Sequence, residues 1–155
     1  MFNSPNSPSR LTFHHVGYAV REIQPIEQAY VSAFGYLVES PVIHDPLQTA
    51  FVQFLRLPGA TSWLELVAPD GPGSKLAGTV QKRGGLHHLC YTSGPLEATV
   101  EHLESVGLVR ISEPEPAAAF DGRRICWLMT QDRSLVELVE RRSETDSCEP
   151  VSSLL

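Results

Sequence analysis

The chain has 155 residues, 42% hydrophobic and 19% charged, with a formal net charge of −6. Those figures describe one ordinary globular domain, or two very small modules sharing a core. They carry no basic stripe for nucleic acid, no apolar run long enough for a membrane span and no apolar signal-peptide core. Three unclustered cysteines, Cys90, Cys126 and Cys148, suit a reducing cytoplasm better than a disulfide framework.

Residues 1–10, rich in Ser, Pro and Asn, read as a disordered tail. FHHVGYAV (13–20) alternates around β-branched and aromatic residues and predicts a strand. The next stretch, 21–36, sets Ile23, Ile26, Tyr30, Ala33 and Phe34 at helical spacing, with Pro25 near its start and Gly35 past its end. Three strand-like runs follow at 36–43, 49–57 and 62–69. A Gly-rich linker with room for a short helix occupies 70–83. The pattern then repeats. LHHLCYTS (86–93) is a strand, and PLEATVEHLESVG (95–107) carries Leu96, Val100 and Leu103 on one helical face. Runs at 108–114, 123–130 and 134–141 are three more strands. Residues 142–155 are polar and aperiodic and read as a flexible tail.

The repeat has a fixed metric. His15 to Glu65 is 50 residues and His88 to Glu137 is 49; His15 to Gly35 is 20 and His88 to Gly107 is 19. Internal repetition at matched landmarks predicts two βαβββ modules, 11–69 and 84–141, in a single α+β domain spanning 11–141. The four residues would meet if the eight strands curve around one cleft. Strand alternation puts Val16, Tyr18 and Val20 against the helix and His15, Gly17 and Ala19 on the other face. Leu89 and Tyr91 divide from His88, Cys90 and Thr92 in the same way. Glu65 and Glu137 each stand between apolar residues on a strand, and a carboxylate so placed needs a partner.

Two histidines and two glutamates, one pair per half, make a nitrogen–oxygen set suited to one divalent transition ion. Read singly, each histidine is a satisfied strand residue and each glutamate a surface ion-pair partner; the repetition of the pair favours the metal. His14 and His87, by parity, point to the helix side as structural residues. His44 and His102 read as surface positions. Gln53, the nearest polar residue on the strand before Glu65, and Phe120 and Arg123, in the loop before residue 124, are candidate substrate contacts.

Paired βαβββ modules with His on each first strand and Glu on each fourth resemble the vicinal oxygen chelate superfamily, which includes glyoxalase I and methylmalonyl-CoA epimerase. KLAGTVQKRGGLHHLCY (75–91) is similar to the epimerase pattern, and SWLELVAP and SLVELVE to the strands bearing the second and fourth ligands. The resemblance implies that the eight strands form one curved sheet around one cleft, and it places the metal ligands on His15, Glu65, His88 and Glu137. It implies one Zn, Co, Ni or Mn ion and an enzyme, an isomerase or lyase, that moves a proton α to a carbonyl. Glu137 and Glu65 would carry the proton on a small acyl thioester of CoA or a carrier protein, in a cytoplasmic protein able to form a homodimer. A glyoxalase reaction on a hemithioacetal is the alternative, and a non-catalytic antibiotic-binding protein the rival class. The chain departs from some epimerases in having no Asp or Glu within 46–64.

Overall fold

A computed structural model describes residues 10–152. The expected N-terminal tail therefore lies outside the described residues except for Arg10. The first module runs β1 (Thr12–Ala19), α1 (Ile23–Phe34), β2 (Leu37–Val38), β3 (Ile43–Asp45), β4 (Ala50–Arg56) and β5 (Trp63–Pro69). A short helix α2 (Ala77–Lys82) sits in the linker. The second module runs β6 (Gly85–Ser93), α3 (Leu96–Ser105), β7 (Val109–Arg110), β8 (Glu115–Pro116), a 3-10 turn (Ala118–Phe120), β9 (Arg124–Met129) and β10 (Leu135–Glu140).

The strands form one sheet in the order β2-β4-β5-β1-β6-β10-β9-β7, with β3 added on β4 and β8 on β9. The modules meet where β1 runs antiparallel to β6. On either side of that seam the pairing is parallel, β1 with β5 and β6 with β10. The eight expected strands are present, and two of them are each split in two, giving ten. The breaks have matching causes. The Ser40 hydroxyl accepts the Phe54 amide at 2.9 Å, and the Ser112 hydroxyl accepts the Trp127 amide at 3.1 Å. Each serine takes a ladder position that a backbone carbonyl would otherwise fill, beside Pro41 and Pro114, which have no amide to give.

Helix α1 ends where predicted: Gly35 adopts φ 77° and its amide bonds the Val31 carbonyl at 3.1 Å. Its apolar face covers Val20, Leu55 and Leu66, while α3 covers Cys126, Leu128 and Leu138. The opposite, concave face of the sheet is lined by Ala50, Val52, Phe54, Trp63, Cys90, Phe120 and Ile125. This face holds the cleft.

The expectation of a flexible tail over 142–155 is corrected for 142–152. That segment has no regular structure yet packs closely: Cys148 is fully buried, and Asp146 forms a double ion pair with Arg123 at 2.8 and 2.9 Å. Its polar composition reflects pairing with the domain rather than solvation. Residues 153–155 lie outside the described residues.

Candidate metal centre

The four residues singled out by the repeat converge. His15 stands on β1, Glu65 on β5, His88 on β6 and Glu137 on β10, all on the concave face and all at most 4% exposed. His15 Nε2 lies 3.0 Å from His88 Nε2. Glu65 Oε1 is 3.4 and 3.2 Å from those nitrogens, and Glu137 Oε1 is 3.3 and 3.5 Å away. A four-coordinate ion with bonds of about 2.0–2.2 Å has donor–donor edges of roughly 3.3–3.6 Å, so these atoms stand nearly as ligands of one ion would. Glu137 Oε1 is buried with no hydrogen-bond partner among the described residues. Two carboxylates and two neutral imidazoles are electrically balanced by one dication, which removes the cost of burying two negative charges together. The residues present fit the group.

The electrostatics agree with that need. Burial alone would drive the imidazoles neutral, but the Glu65 and Glu137 carboxylates outweigh it and raise both, His88 to about 9. Desolvation of the carboxylates is likewise outweighed by the imidazoles, which hold Glu65 and Glu137 below the usual carboxylate range. Burial, reinforced by Glu137 and Glu65, pushes the Cys90 thiol up, and the thiol is fully buried beside the centre.

Two register irregularities build the centre. Along the β1–β6 seam Phe13 faces Tyr91 and His15 faces Cys90, which leaves His14 as an extra residue; Gly17 faces His88 and Tyr18 faces Leu86, which leaves His87 extra. Each doublet thus lies on a β-bulge, so its first histidine turns toward the same side as its second. The expectation that His14 and His87 face the helices is therefore overturned. His14 Nδ1 lies 2.7 Å from His15 Nδ1, and His87 Nδ1 lies 2.8 Å from His88 Nδ1. His14 Nε2 is 2.8 Å from the Cys148 carbonyl, which can only accept. His14 therefore donates from Nε2, accepts at Nδ1 from His15, and leaves the His15 Nε2 lone pair facing the centre. Burial, and then the neighbouring imidazole, pushes both outer histidines down to about 4, consistent with neutral rings.

Gly17 sets how close the rings come. A Cβ there would stand 2.5 Å from His88 Nε2 and closer still to Cε1 and Nδ1, so the small residue beside the histidine makes room for the ring itself. Phe54 and Trp127, at matching places on β4 and β9, pack edge-on against His15 and His88, with centroids 5.2 and 4.8 Å apart. Sequence reading missed Trp127, whose indole donates to Gln48 Oε1 at 2.9 Å. The pairing of an aromatic one strand from each glutamate was its only signal.

A cavity of about 360 Å³ opens onto Glu65, His88 and Glu137 between His87, Phe120 and Trp127. A larger open groove of about 890 Å³ lies behind His14 and the 140–147 segment and reaches neither glutamate. Of the expected substrate contacts, Phe120 lines the cavity and stacks on His15 at 6.0 Å. Arg123 does not; its guanidinium is taken by Asp146 and the Phe120 carbonyl. Gln53 does not either. Phe54 pairs with Glu65 across the ladder and shares its face, so Gln53 points to the helix side, where it donates to the Ser40 carbonyl at 3.3 Å. Asp45, a buried carboxylate at the far end of the cavity, accepts the amides of Gln48 and Ala118. It pairs with Ala50, four residues along β4 from the Phe54–Glu65 pair, or about 13 Å at 3.3 Å per residue.

Residues 14–127 match the model of the glyoxalase/bleomycin resistance protein/dioxygenase superfamily. The chain belongs to that superfamily. It is 31% identical over 129 residues to an ethylmalonyl-CoA/methylmalonyl-CoA epimerase of Cereibacter sphaeroides, covering 81% of this chain and 94% of the relative. It is 32% identical to the mitochondrial methylmalonyl-CoA epimerase of Homo sapiens, covering 81% of this chain and 71% of that one. The crystal structure of methylmalonyl-CoA epimerase from Mycobacterium tuberculosis superposes with a TM-score of 0.71 at 26% identity, covering 85% and 89% of the two chains. Within the superfamily this chain has the two-module, one-cleft arrangement, and its concave face holds the His15, Glu65, His88 and Glu137 cluster. No helix of the described residues is long and apolar enough to cross a membrane.

Proposed function

We propose that this superfamily member is a metal-dependent epimerase that moves the proton α to the carbonyl of a small acyl thioester, with methylmalonyl-CoA or a close homologue as substrate. The observation that carries the reading is the pair of buried glutamates, one from each module, on opposite sides of a two-histidine pair at the floor of an apolar cavity. His15, Glu65, His88 and Glu137 would hold one divalent ion. Such an ion would supply positive charge at the substrate's oxygens and so acidify the C–H beside them.

Epimerisation needs a proton removed from one face and returned on the other. The two modules are related by the seam between β1 and β6, so Glu65 and Glu137 approach a substrate from pseudo-equivalent, opposite directions. Asp45 is too remote and too fully bonded to take either role. One glutamate takes the α-proton as a carboxylate while the other, protonated, returns a proton to the opposite face, so Glu137 acts on one hand of the substrate and Glu65 on the other.

Cavity size sets the substrate class. About 360 Å³ takes a short branched acyl group with its thioester and cannot enclose a nucleotide-bearing carrier. The carrier must run out of the cavity, whose lining includes the exposed Lys75. The relatives' names point the same way, and three free, buried cysteines suit a cytoplasmic enzyme. The test is α-proton exchange in deuterated water across methylmalonyl-CoA, ethylmalonyl-CoA and the hemithioacetal of glutathione and methylglyoxal. Exchange of the two thioesters only is expected; exchange or conversion of the hemithioacetal only would assign the glyoxalase reaction instead.

A further inference from the structure

The two histidine doublets are built alike and end differently. In the first, the outer nitrogen of His14 is closed off by the Cys148 carbonyl at 2.8 Å. In the second, His87 Nδ1 meets His88 Nδ1 at 2.8 Å, and His87 Nε2 has no protein partner among the described residues. His87 also lines the cavity, its ring edge-on to Trp127 at 6.2 Å. No carbonyl or carboxylate of the protein has been brought to that nitrogen, although every other doublet nitrogen has a partner.

We infer that His87 is a substrate-contacting residue, whose Nε2–H donates a hydrogen bond to an oxygen of the bound acyl group. The inference rests on the metal-centred reading of the site. For His88 to present its Nε2 lone pair to a cation, its proton must sit on Nδ1. That N–H can only donate to His87 Nδ1, 2.8 Å away. A neutral His87 that accepts at Nδ1 carries its own proton on Nε2. The metal ligand thereby fixes the tautomer of its neighbour, and the donor belongs to a residue that lines the cavity beside Trp127. Carboxylate and thioester oxygens are the matching acceptors, and a purely hydrocarbon ligand would leave the donor unpaired at a cost. The first doublet offers no such donor, so the substrate's most electron-rich oxygen is expected on the second module's side, beside His87 and Trp127.

The test uses zinc-loaded protein. Imidazole ¹⁵N–¹H correlation spectra should show His87 protonated at Nε2, with that signal moving when malonyl-CoA is added. His87→Asn keeps an oxygen near the Nδ1 position and removes the donor; His87→Gln places an amide N–H near the Nε2 position. In His87→Asn, zinc affinity should stay within about threefold while malonyl-CoA binds about five- to tenfold more weakly, the value of one neutral hydrogen bond. His87→Gln, saturated with zinc, should recover most of that loss. Protonation of His87 at Nδ1, an unmoved Nε2 signal, or equal malonyl-CoA affinity in His87→Asn would each overturn the assignment. A wild-type protein that binds malonate but not malonyl-CoA would remove the thioester reading, and the same comparisons made with malonate would still decide His87.

Discussion

Replacing Gly17 with alanine isolates the packing that brings the two histidine rings together. Gly17 sits opposite His88 across the seam, in ordinary strand conformation, so alanine meets no backbone strain there. The obstacle is the ring. The new Cβ would lie 2.5 Å from Nε2, with two other ring atoms nearer still. Ordinary carbon contacts are about 3.5–4.0 Å, so the imidazole must withdraw by more than about 1 Å. A ligand nitrogen displaced that far no longer shares a centre with His15, 3.0 Å away. Displacements that disturb ligand orientation typically cost about 10–100-fold in metal affinity, and the upper end is expected here. Overpacking adds about 1–3 kcal/mol of destabilisation. Metal affinity would be measured by competition with a chromophoric chelator, and stability by thermal unfolding of the metal-free protein. A control fixes the cause. In a His88→Ala background the same Gly17→Ala change should stabilise by about 0.5–1 kcal/mol, because strand glycine costs backbone entropy and the ring is gone. Zinc affinity unchanged within threefold in Gly17→Ala, or the same loss of stability in both backgrounds, would refute the close-packing account.

Metal affinity should rise with pH by about tenfold per unit for each proton displaced, and flatten near 9, because the ion must displace the proton that the glutamates hold on His88; pH-independent affinity with no proton release in calorimetry across buffers would contradict this. Asp146→Asn should destabilise by about 1.5–3 kcal/mol through loss of the paired Arg123 contact, which lowers Tm by about 4–10 °C. Arg123, and then other contacts, hold the Asp146 carboxyl below its usual range, so the wild type loses this stabilisation as pH falls below about 4 and the variant should lack that limb of the acid transition. Glu137→Gln, saturated with metal, should lose about 10²–10⁴-fold in α-proton exchange on one hand of the substrate, and Glu65→Gln on the other; equal, modest losses for both hands would place the base elsewhere.

The module plan and the clustering of the two histidines and two glutamates were legible because they repeat. Two landmarks at matched spacing fix His15, Glu65, His88 and Glu137, and alternation puts them on the concave face. Alternation failed at His14 and His87, since a bulge adds one residue to a strand and reverses parity locally without leaving a trace in hydropathy. The doublets were the trace: two adjacent histidines are wasteful on opposite faces and useful on one. Arg123 and Gln53 were misread for another reason. Their partners, Asp146 and Ser40, are long-range or at a strand break, and neither is visible in a local window. The packed 142–152 segment was hidden likewise, because its anchors are backbone hydrogen bonds, two ion pairs and the single buried Cys148 rather than a periodic apolar face.

Metal and proton transfer are joined in one titration. Metal-free protein would receive zinc or cobalt in steps, and the rate of deuterium exchange at the α-carbon of methylmalonyl-CoA would be followed at each step. The rate should start near the buffer value, rise in proportion to added ion, and break sharply at one equivalent per chain, with His88→Ala flat throughout. Exchange that is already maximal before any ion is added and survives a chelator, or a saturated protein that exchanges neither hand of the substrate, would contradict the assignment of His15, Glu65, His88 and Glu137 as one metal-centred proton-transfer site.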